Sequence, residues 1–107
     1  MDQLKNKEAL SIFKQSVCDF NPKLFKPYIL SDAIQFDGDK KQFYKLFKRM
    51  VCTAKANSVG ELSLKIEPTD HPQKKYYCFY DQKHVHARIT FTVEEKEDAI
   101  CLDILPF

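Results

Sequence analysis

Apolar residues recur at helical spacing through the first 58 residues of the chain, and they alternate with polar residues from Gly60 onward. Apolar groups at i, i+3, i+4 and i+7 line one face of a helix, whereas strict alternation lines one face of a strand. The chain therefore divides into a helical half and a strand half. We expect one domain over residues 1–107, an α+β fold with N-terminal helices packed on a curved, mainly antiparallel sheet.

The helical half predicts two long amphipathic helices. The first covers about residues 2–19 and ends at Asn21-Pro22, because a proline disfavours helical geometry in the residue before it. The second covers about residues 40–57 and is expected to begin after Asp39, a residue type that caps helix N-termini. A short helix within residues 22–30 and a short strand within residues 33–37 connect the two.

The strand half predicts four antiparallel strands at about residues 61–67, 75–81, 85–94 and 100–105. Alternation assigns one face of these strands to the core. This face contains no ionisable side chain and comprises Leu62, Leu64, Ile66, Val85, Ala87, Ile89, Phe91, Ile100, Leu102 and Ile104. The opposite face is polar and comprises Ser63, Lys65, His86, Arg88, Thr90, Thr92, Cys101 and Asp103.

The composition is that of an ordinary globular chain, with 44% apolar and 30% charged residues. The net charge is +2, and the lysines are spread along the chain and interleaved with acidic residues. We therefore expect no nucleic-acid partner. The chain shows no apolar leader and no stretch of the ~20 apolar residues that a transmembrane helix needs, so we expect a cytoplasmic protein with no membrane partner. Only two glycines are present, too few for a Gly-rich phosphate loop, and we expect no cofactor.

Residues 25–38 read Phe-Lys-Pro-Tyr-Ile-Leu-Ser-Asp-Ala-Ile-Gln-Phe-Asp-Gly, which predicts a short helix, a Leu-Ser-Asp turn, an extended apolar strand and a glycine. A helix that opens at Lys40 follows. This segment resembles the nuclear transport factor 2-like superfamily, including its polyketide-cyclase (SnoaL-like) branch. The order helix, short helix, short strand, helix and four strands extends the resemblance over nearly the whole chain, which is shorter than most members.

The resemblance implies a cone, in which a strongly bent sheet wraps around the long helix, often with a pocket between them. It also implies a homodimer through the open face of the sheet. Members of the superfamily include isomerases, dehydratases, cyclases and transport adaptors, so the fold by itself does not select a function. In the related enzymes, carboxylates, tyrosines and histidines that point into the cone perform the catalysis.

Two histidines, His84 and His86, are the candidate metal ligands. Alternation would place both imidazoles on one face of a strand, roughly 7 Å apart. A third ligand would have to come from Asp81, Cys101 or Asp103, and the spacing brings none of them near. Two histidines on a solvated or dimer-contact face are the alternative interpretation, and we expect no metal site.

A ligand-binding or partner-binding face is predicted on the polar side of the sheet, with Arg88 and Asp103 as cross-strand partners. Aromatic side chains are enriched at protein contacts, which extends the prediction to the aromatic strand. The residues assigned to this face are His86, Arg88, Thr90, Asp103 and Tyr77. A solvated face that binds nothing is the alternative.

Acid–base catalysis needs a titratable side chain within reach of a substrate. The candidates lie near the first strand and its flanking helices, and they are Asp32, Asp37, Tyr28 and Tyr44. A turn residue and a helix cap are the competing interpretations of the two aspartates. We therefore predict non-catalytic binding of a small apolar ligand or a protein partner by a homodimer. The alternative is a small-molecule isomerase, dehydratase or cyclase that uses an Asp/Tyr pair.

Overall fold

The computed structural model describes the backbone of residues 2–105 and the side chains of residues 6–105. Its helices are α1 (Asp2–Cys18), α2 (Lys26–Ile29) and α3 (Lys40–Asn57), with a 3₁₀ turn at Pro22–Leu24. Its strands are β1 (Ile34–Gln35), β2 (Ser63–Pro68), β3 (Lys74–Tyr80), β4 (Ile89–Glu95) and β5 (Ile100–Leu105).

The strands form a five-stranded mixed sheet in the order β1-β5-β4-β3-β2. Strands β2 to β5 are an antiparallel meander, and β1 joins its edge in parallel with β5, where Ile34 lies opposite Ile100. The predicted α+β class, with N-terminal helices and a mainly antiparallel sheet, is therefore confirmed. The parallel edge pair was not predicted, because β1 is only two residues long and its partner lies more than 60 residues away along the chain.

Local chemistry explains both ends of the helical region. Asp39 accepts a hydrogen bond from the backbone N–H of Lys41 at 3.1 Å, which confirms the predicted N-cap of α3. After the end of α1, Phe20 adopts the left-handed backbone conformation, with φ at +53°. The Phe20 N–H donates to the carbonyl of Val17 and the Asn21 N–H to that of Ser16, so two terminal carbonyls of the helix are satisfied.

The core is a cluster of aromatic rings between the helices and the sheet. Phe13 of α1 lies at its centre, with ring centroids 4.8–6.3 Å away on α3, β3, β4 and the residue that follows the 3₁₀ turn. These neighbours are Phe25, Phe47, Tyr77, Phe79 and Phe91. These rings fill the centre of the space between α3 and the sheet, and a surface cavity of about 590 Å³ lies between the second half of α3 and residues 86–88.

The structure corrects the predicted third strand of the meander. Strand β4 begins at Ile89, and residues 81–88 form an irregular loop. Val85 is 84% exposed in this loop, and Ile66 at the β2 edge is also exposed, so neither residue contributes to the core as predicted. The alternating sequence does not pair here, because Asp81 holds the backbone N–H groups of Lys83 and His84 in a turn.

We expect Phe13→Ala to destabilise the protein by about 3–5 kcal/mol, because the truncation removes the ring that α1 inserts among the others and leaves a cavity. Chemical denaturation monitored by circular dichroism measures the change. Gln15→Ala, at an exposed position of the same helix, is the matched control and should change stability by no more than about 0.5 kcal/mol. Equal effects of the two substitutions would contradict the Phe13-centred core.

Candidate functional site

The helices pack on one face of the sheet, and the other face carries alternate residues of all five strands. We name this second surface the open face, since no helix of residues 2–105 packs on it. Strand register places its residues in three rows across the sheet. The rows are Lys65-Cys78-Thr90-Leu105, Glu67-Tyr76-Thr92-Asp103 and Lys74-Glu94-Cys101-Gln35, with Ser63 opposite Tyr80 beyond the first row.

Cys78 lies near the middle of the open face, yet it is only 6% exposed. Tyr76 and Tyr80 flank it along β3 and are half-buried. Burial raises the pKa of the Cys78 thiol, and the nearby Glu67 carboxylate raises it further. The thiol is therefore held in its neutral form and behaves as a small apolar group rather than as a nucleophile.

Charge is distributed unequally across the open face. Lys65 and Lys74 lie on β2 and β3, whereas Glu94 and Asp103 lie on β4 and β5. Glu67 is the exception, and its carboxylate lies 3.8 Å from the Lys65 ammonium group. One side of the open face is thus weakly basic and the other side is acidic.

Of the residues predicted for this face, Thr90 and Asp103 lie on it. Tyr77 does not, because its register with Phe91 places it on the helix-covered side, where it is buried. His86 and Arg88 precede β4 in the irregular loop and are absent from the sheet. Arg88 donates to the carbonyl of His86 at 3.3 Å, and Asp103 lies opposite Thr92, so the predicted Arg88–Asp103 pair is wrong.

Asp81, at the end of β3, organises the loop that replaces the predicted strand. Its side chain is fully buried. The carboxylate accepts hydrogen bonds from the backbone N–H groups of Val59 and His84, both at 2.8 Å, and of Lys83 at 3.3 Å. The Nδ1 atom of His84 lies 2.7 Å from the same carboxylate. Asp81 therefore fastens the loop to the segment that follows α3.

Burial by itself would raise the pKa of Asp81. The hydrogen bonds from His84, Val59 and Lys83 outweigh burial and hold the pKa of this carboxyl well below its usual range. Sequence analysis did not single out this residue as a structural element. The available signal was an aspartate directly after a strand and before a polar turn, a position where Asp side chains bond to backbone N–H groups two and three residues on.

The two histidines do not form the predicted pair on a strand, because both lie in the irregular loop. His84 is bonded to Asp81, and among the described residues it has no hydroxyl or thiol hydrogen-bond partner that an Asp–His pair could activate. Across residues 6–105, no group of three or more His, Cys, Asp or Glu side chains is placed to hold a metal ion. The arrangement at Asp81 is therefore structural.

The four candidate acid–base residues are only partly brought together. Tyr28 donates its hydroxyl to Glu8 at 2.8 Å, and this hydrogen bond raises the pKa of Tyr28. The Asp32 side chain is fully exposed, 3.4 Å from the Lys40 ammonium group. Asp37 is an exposed turn residue, and the Tyr44 ring lies under the ammonium group of Lys26.

Tyr28 and Asp32 do share the wall of a surface cavity of about 510 Å³. Its other lining residues are Asn6, Glu8, Pro27, Ser31, Ala33 and Asp98. The cavity lies outside the aromatic core, and the Tyr28 hydroxyl is already engaged by Glu8. The Tyr28 hydroxyl is bonded to Glu8 and the Asp32 carboxylate lies beside Lys40, so no hydrogen bond joins the two groups as an acid–base pair would require.

Comparisons of the chain with protein-family models, with curated proteins and with solved structures found no match. Among the helices of residues 2–105, none combines the length and the apolar character needed to cross a membrane.

We expect Asp81→Asn to lower the melting temperature by about 8 °C or more at pH 7, because an amide replaces the buried charged acceptor of three N–H groups. The pKa of an aspartate in the unfolded chain is about 3.9. Because the pKa of Asp81 is lowered in the folded protein, its full stabilisation is present above about pH 3.9 and is lost as the pH falls from there through the lowered pKa. Thermal unfolding of both proteins should be measured from about pH 7 down to about pH 2. The difference between their melting temperatures should narrow only at acid pH.

The matched control is Asp37→Asn, which removes the same charge from an exposed turn. Its melting temperature should stay within about 2 °C of the parent protein. An Asp81→Asn protein as stable as this control would show that the Asp81 cluster does not hold the loop.

Proposed function

We propose that this protein is a non-catalytic interaction module that forms a homodimer through the open face of its sheet. The observation that carries the proposal is the division of this face into a basic and an acidic side, with the half-buried tyrosines of β3 near its middle. A symmetric dimer needs a self-complementary surface, since the same patch serves both copies. A face with opposite charges on its two halves meets that requirement.

The symmetry axis that suits this face runs along the strands. A two-fold rotation about such an axis, taken through the central strand β4, lays β3 of one copy over β5 of the other. A rotation about this axis keeps each residue at its height along the strands, so Lys74 lies over Cys101 of the second copy, and Asp103 is one row away, about 6.6 Å along the strand. The long Lys74 side chain can turn toward this carboxylate, and the same contact forms again on the other side of the axis. The half-buried Tyr76 and Tyr80, with Cys78 between them, supply the apolar and aromatic contacts that stabilise protein interfaces.

The dimensions of the open face indicate a weak dimer. Five strands at about 4.8 Å spacing and about six residues at about 3.3 Å each give a footprint of roughly 500 Å² per copy. Standard specific interfaces bury about 800 Å² per partner. We therefore expect a dimer that dissociates at micromolar protein concentrations, with a strong dependence on salt, because the paired charges of Lys74 and Asp103 are exposed to solvent.

The filled core favours a protein partner over a small apolar ligand. A ligand inside the cone would need a cavity between α3 and the sheet, and the rings of Phe13, Phe47 and Phe91 occupy that space. We also propose membership of the nuclear transport factor 2-like superfamily. The support for it is the order of elements along the chain and the position of the helices on one side of the sheet.

Charge exchange between the two sides of the face tests the dimer. Lys74→Glu alone and Asp103→Lys alone should each weaken association by about tenfold or more, because the changed contact occurs twice in a symmetric interface. The double variant Lys74→Glu/Asp103→Lys should restore the affinity of the parent protein. Sedimentation equilibrium over a range of protein concentrations measures all three dissociation constants.

Lys75→Glu is the matched control. This residue is the neighbour of Lys74 on β3, it is exposed, and its side chain lies on the opposite side of the sheet. It should leave the association unchanged. A parent protein that stays monomeric at about 1 mM would overturn the homodimer, and a double variant as weak as either single variant would refute the proposed pairing across the axis.

A further inference from the structure

Charge is strongly segregated between α3 and the rest of the molecule. The helix carries six of the 17 basic residues of the chain and none of its 15 acidic residues. The rest of the chain contains 11 basic and 15 acidic residues and has a net charge of −4. The small total charge of +2 therefore conceals a helix of charge +6. The lysines are interleaved with acidic residues elsewhere in the chain, but not here.

The basic side chains of α3 lie on the side opposite to the core. The buried residues Phe43, Phe47, Val51 and Ala54 define the inner stripe of the helix. Five basic residues are exposed on the outer side, and we name them the basic face: Lys41, Lys45, Lys48, Arg49 and Lys55. None of the five lies within 4.0 Å of an acidic group among residues 6–105. Lys40 differs, because it is paired with Asp32.

The basic face is unfavourable for the helix that carries it. Lys41 and Lys45 are four residues apart, as are Lys45 and Arg49, and like charges at this spacing destabilise a helix. A helix with only a structural role would gain stability from a glutamate at position 45. The face runs from Lys41 to Lys55, so it extends over about 21 Å along the helix.

We propose that the basic face binds the phosphate backbone of a nucleic-acid duplex without regard to sequence. Charge complementarity selects a polyanion, and the remaining chemistry of the face selects among polyanions. Lysine is depleted at protein interfaces, which rely on aromatic and apolar anchors, and the five residues are all cationic. An anionic membrane requires an apolar helix face that can insert. The apolar stripe of α3 is buried in the core, and a single exposed residue, Leu46 at 43%, does not form such a face.

A duplex fits this face because it presents closely spaced phosphates along its whole length, and lysine and arginine are the side chains that neutralise them. The proposal reverses the expectation drawn from net charge. It is independent of the proposed dimer, because α3 and the open face lie on opposite sides of the sheet. One molecule can therefore use both surfaces at once.

Fluorescence anisotropy with labelled duplexes of about 20 base pairs, one DNA and one RNA, tests the proposal. We expect a dissociation constant of about 10⁻⁴–10⁻⁶ M near physiological salt, independent of base sequence. Between about 50 and 200 mM salt, the logarithm of the binding constant should fall with a slope of about −4 against the logarithm of salt concentration. The two duplexes distinguish DNA from RNA as the source of the phosphates.

Lys45→Glu/Lys48→Glu should weaken binding at least tenfold and reduce the salt slope by about 2. The melting temperature of this variant should equal or exceed that of the parent protein, since repulsion within α3 is relieved, so that weaker binding cannot be attributed to unfolding. Lys75→Glu/Lys96→Glu is the matched control, with the same change of net charge at exposed positions outside α3. It should keep at least half of the parent affinity and the full salt slope.

Three outcomes would overturn the proposal. The first is no binding to either duplex at about 50 mM salt. The second is an equal loss of affinity in the α3 variant and in the control, which would assign binding to net charge rather than to the basic face. The third is binding to vesicles that contain anionic lipid, with no binding to either duplex, which would assign the face to a membrane surface.

Discussion

The packing of the Phe13 ring against the sheet is the contact on which the remaining architecture depends. Its neighbours lie on α3, β3 and β4 and at the residue that follows the 3₁₀ turn, so one side chain joins parts of the chain that are far apart in sequence. Aromatic rings supply much buried area per residue, which matters in a chain of 107 residues with a limited core. The same rings fill the centre of the space between α3 and the sheet, and both proposed surfaces lie on the outside of the molecule.

A second constraint comes from a single buried carboxylate. The Asp81 carboxylate accepts hydrogen bonds from three backbone N–H groups and contacts the His84 ring. These contacts end β3 and hold residues 81–88 in a loop outside the sheet. The segment around Val85 alternates well enough to form a strand. It does not form a strand, because hydrogen bonds from its backbone N–H groups to the charged Asp81 carboxylate are stronger than backbone hydrogen bonds to a neighbouring strand. The loop consequently removes His84 and His86 from the sheet, whereas the Arg88 N–H still donates to the Phe79 carbonyl at 2.7 Å.

The two proposed surfaces lie on opposite sides of the sheet and differ in chemistry. The open face mixes charges of both signs around half-buried tyrosines, as a self-complementary contact requires. The basic face of α3 carries charge of one sign only. Segregation of this kind suits a small module that associates with its own copy on one side and with a polyanion on the other.

Local patterning determined much of the fold. The helical spacing of Phe43, Phe47 and Val51 set the inner side of α3, Asp39 set its start, and alternation identified most of the strands. The same pattern misassigned Tyr77 and the His84–Arg88 segment, since a period of two shows that two faces differ and does not show which one is covered. Tertiary structure decided the parallel β1–β5 pair, the loop at Asp81 and the makeup of the open face. Each of these depends on hydrogen bonds or packing between residues that local spacing cannot relate.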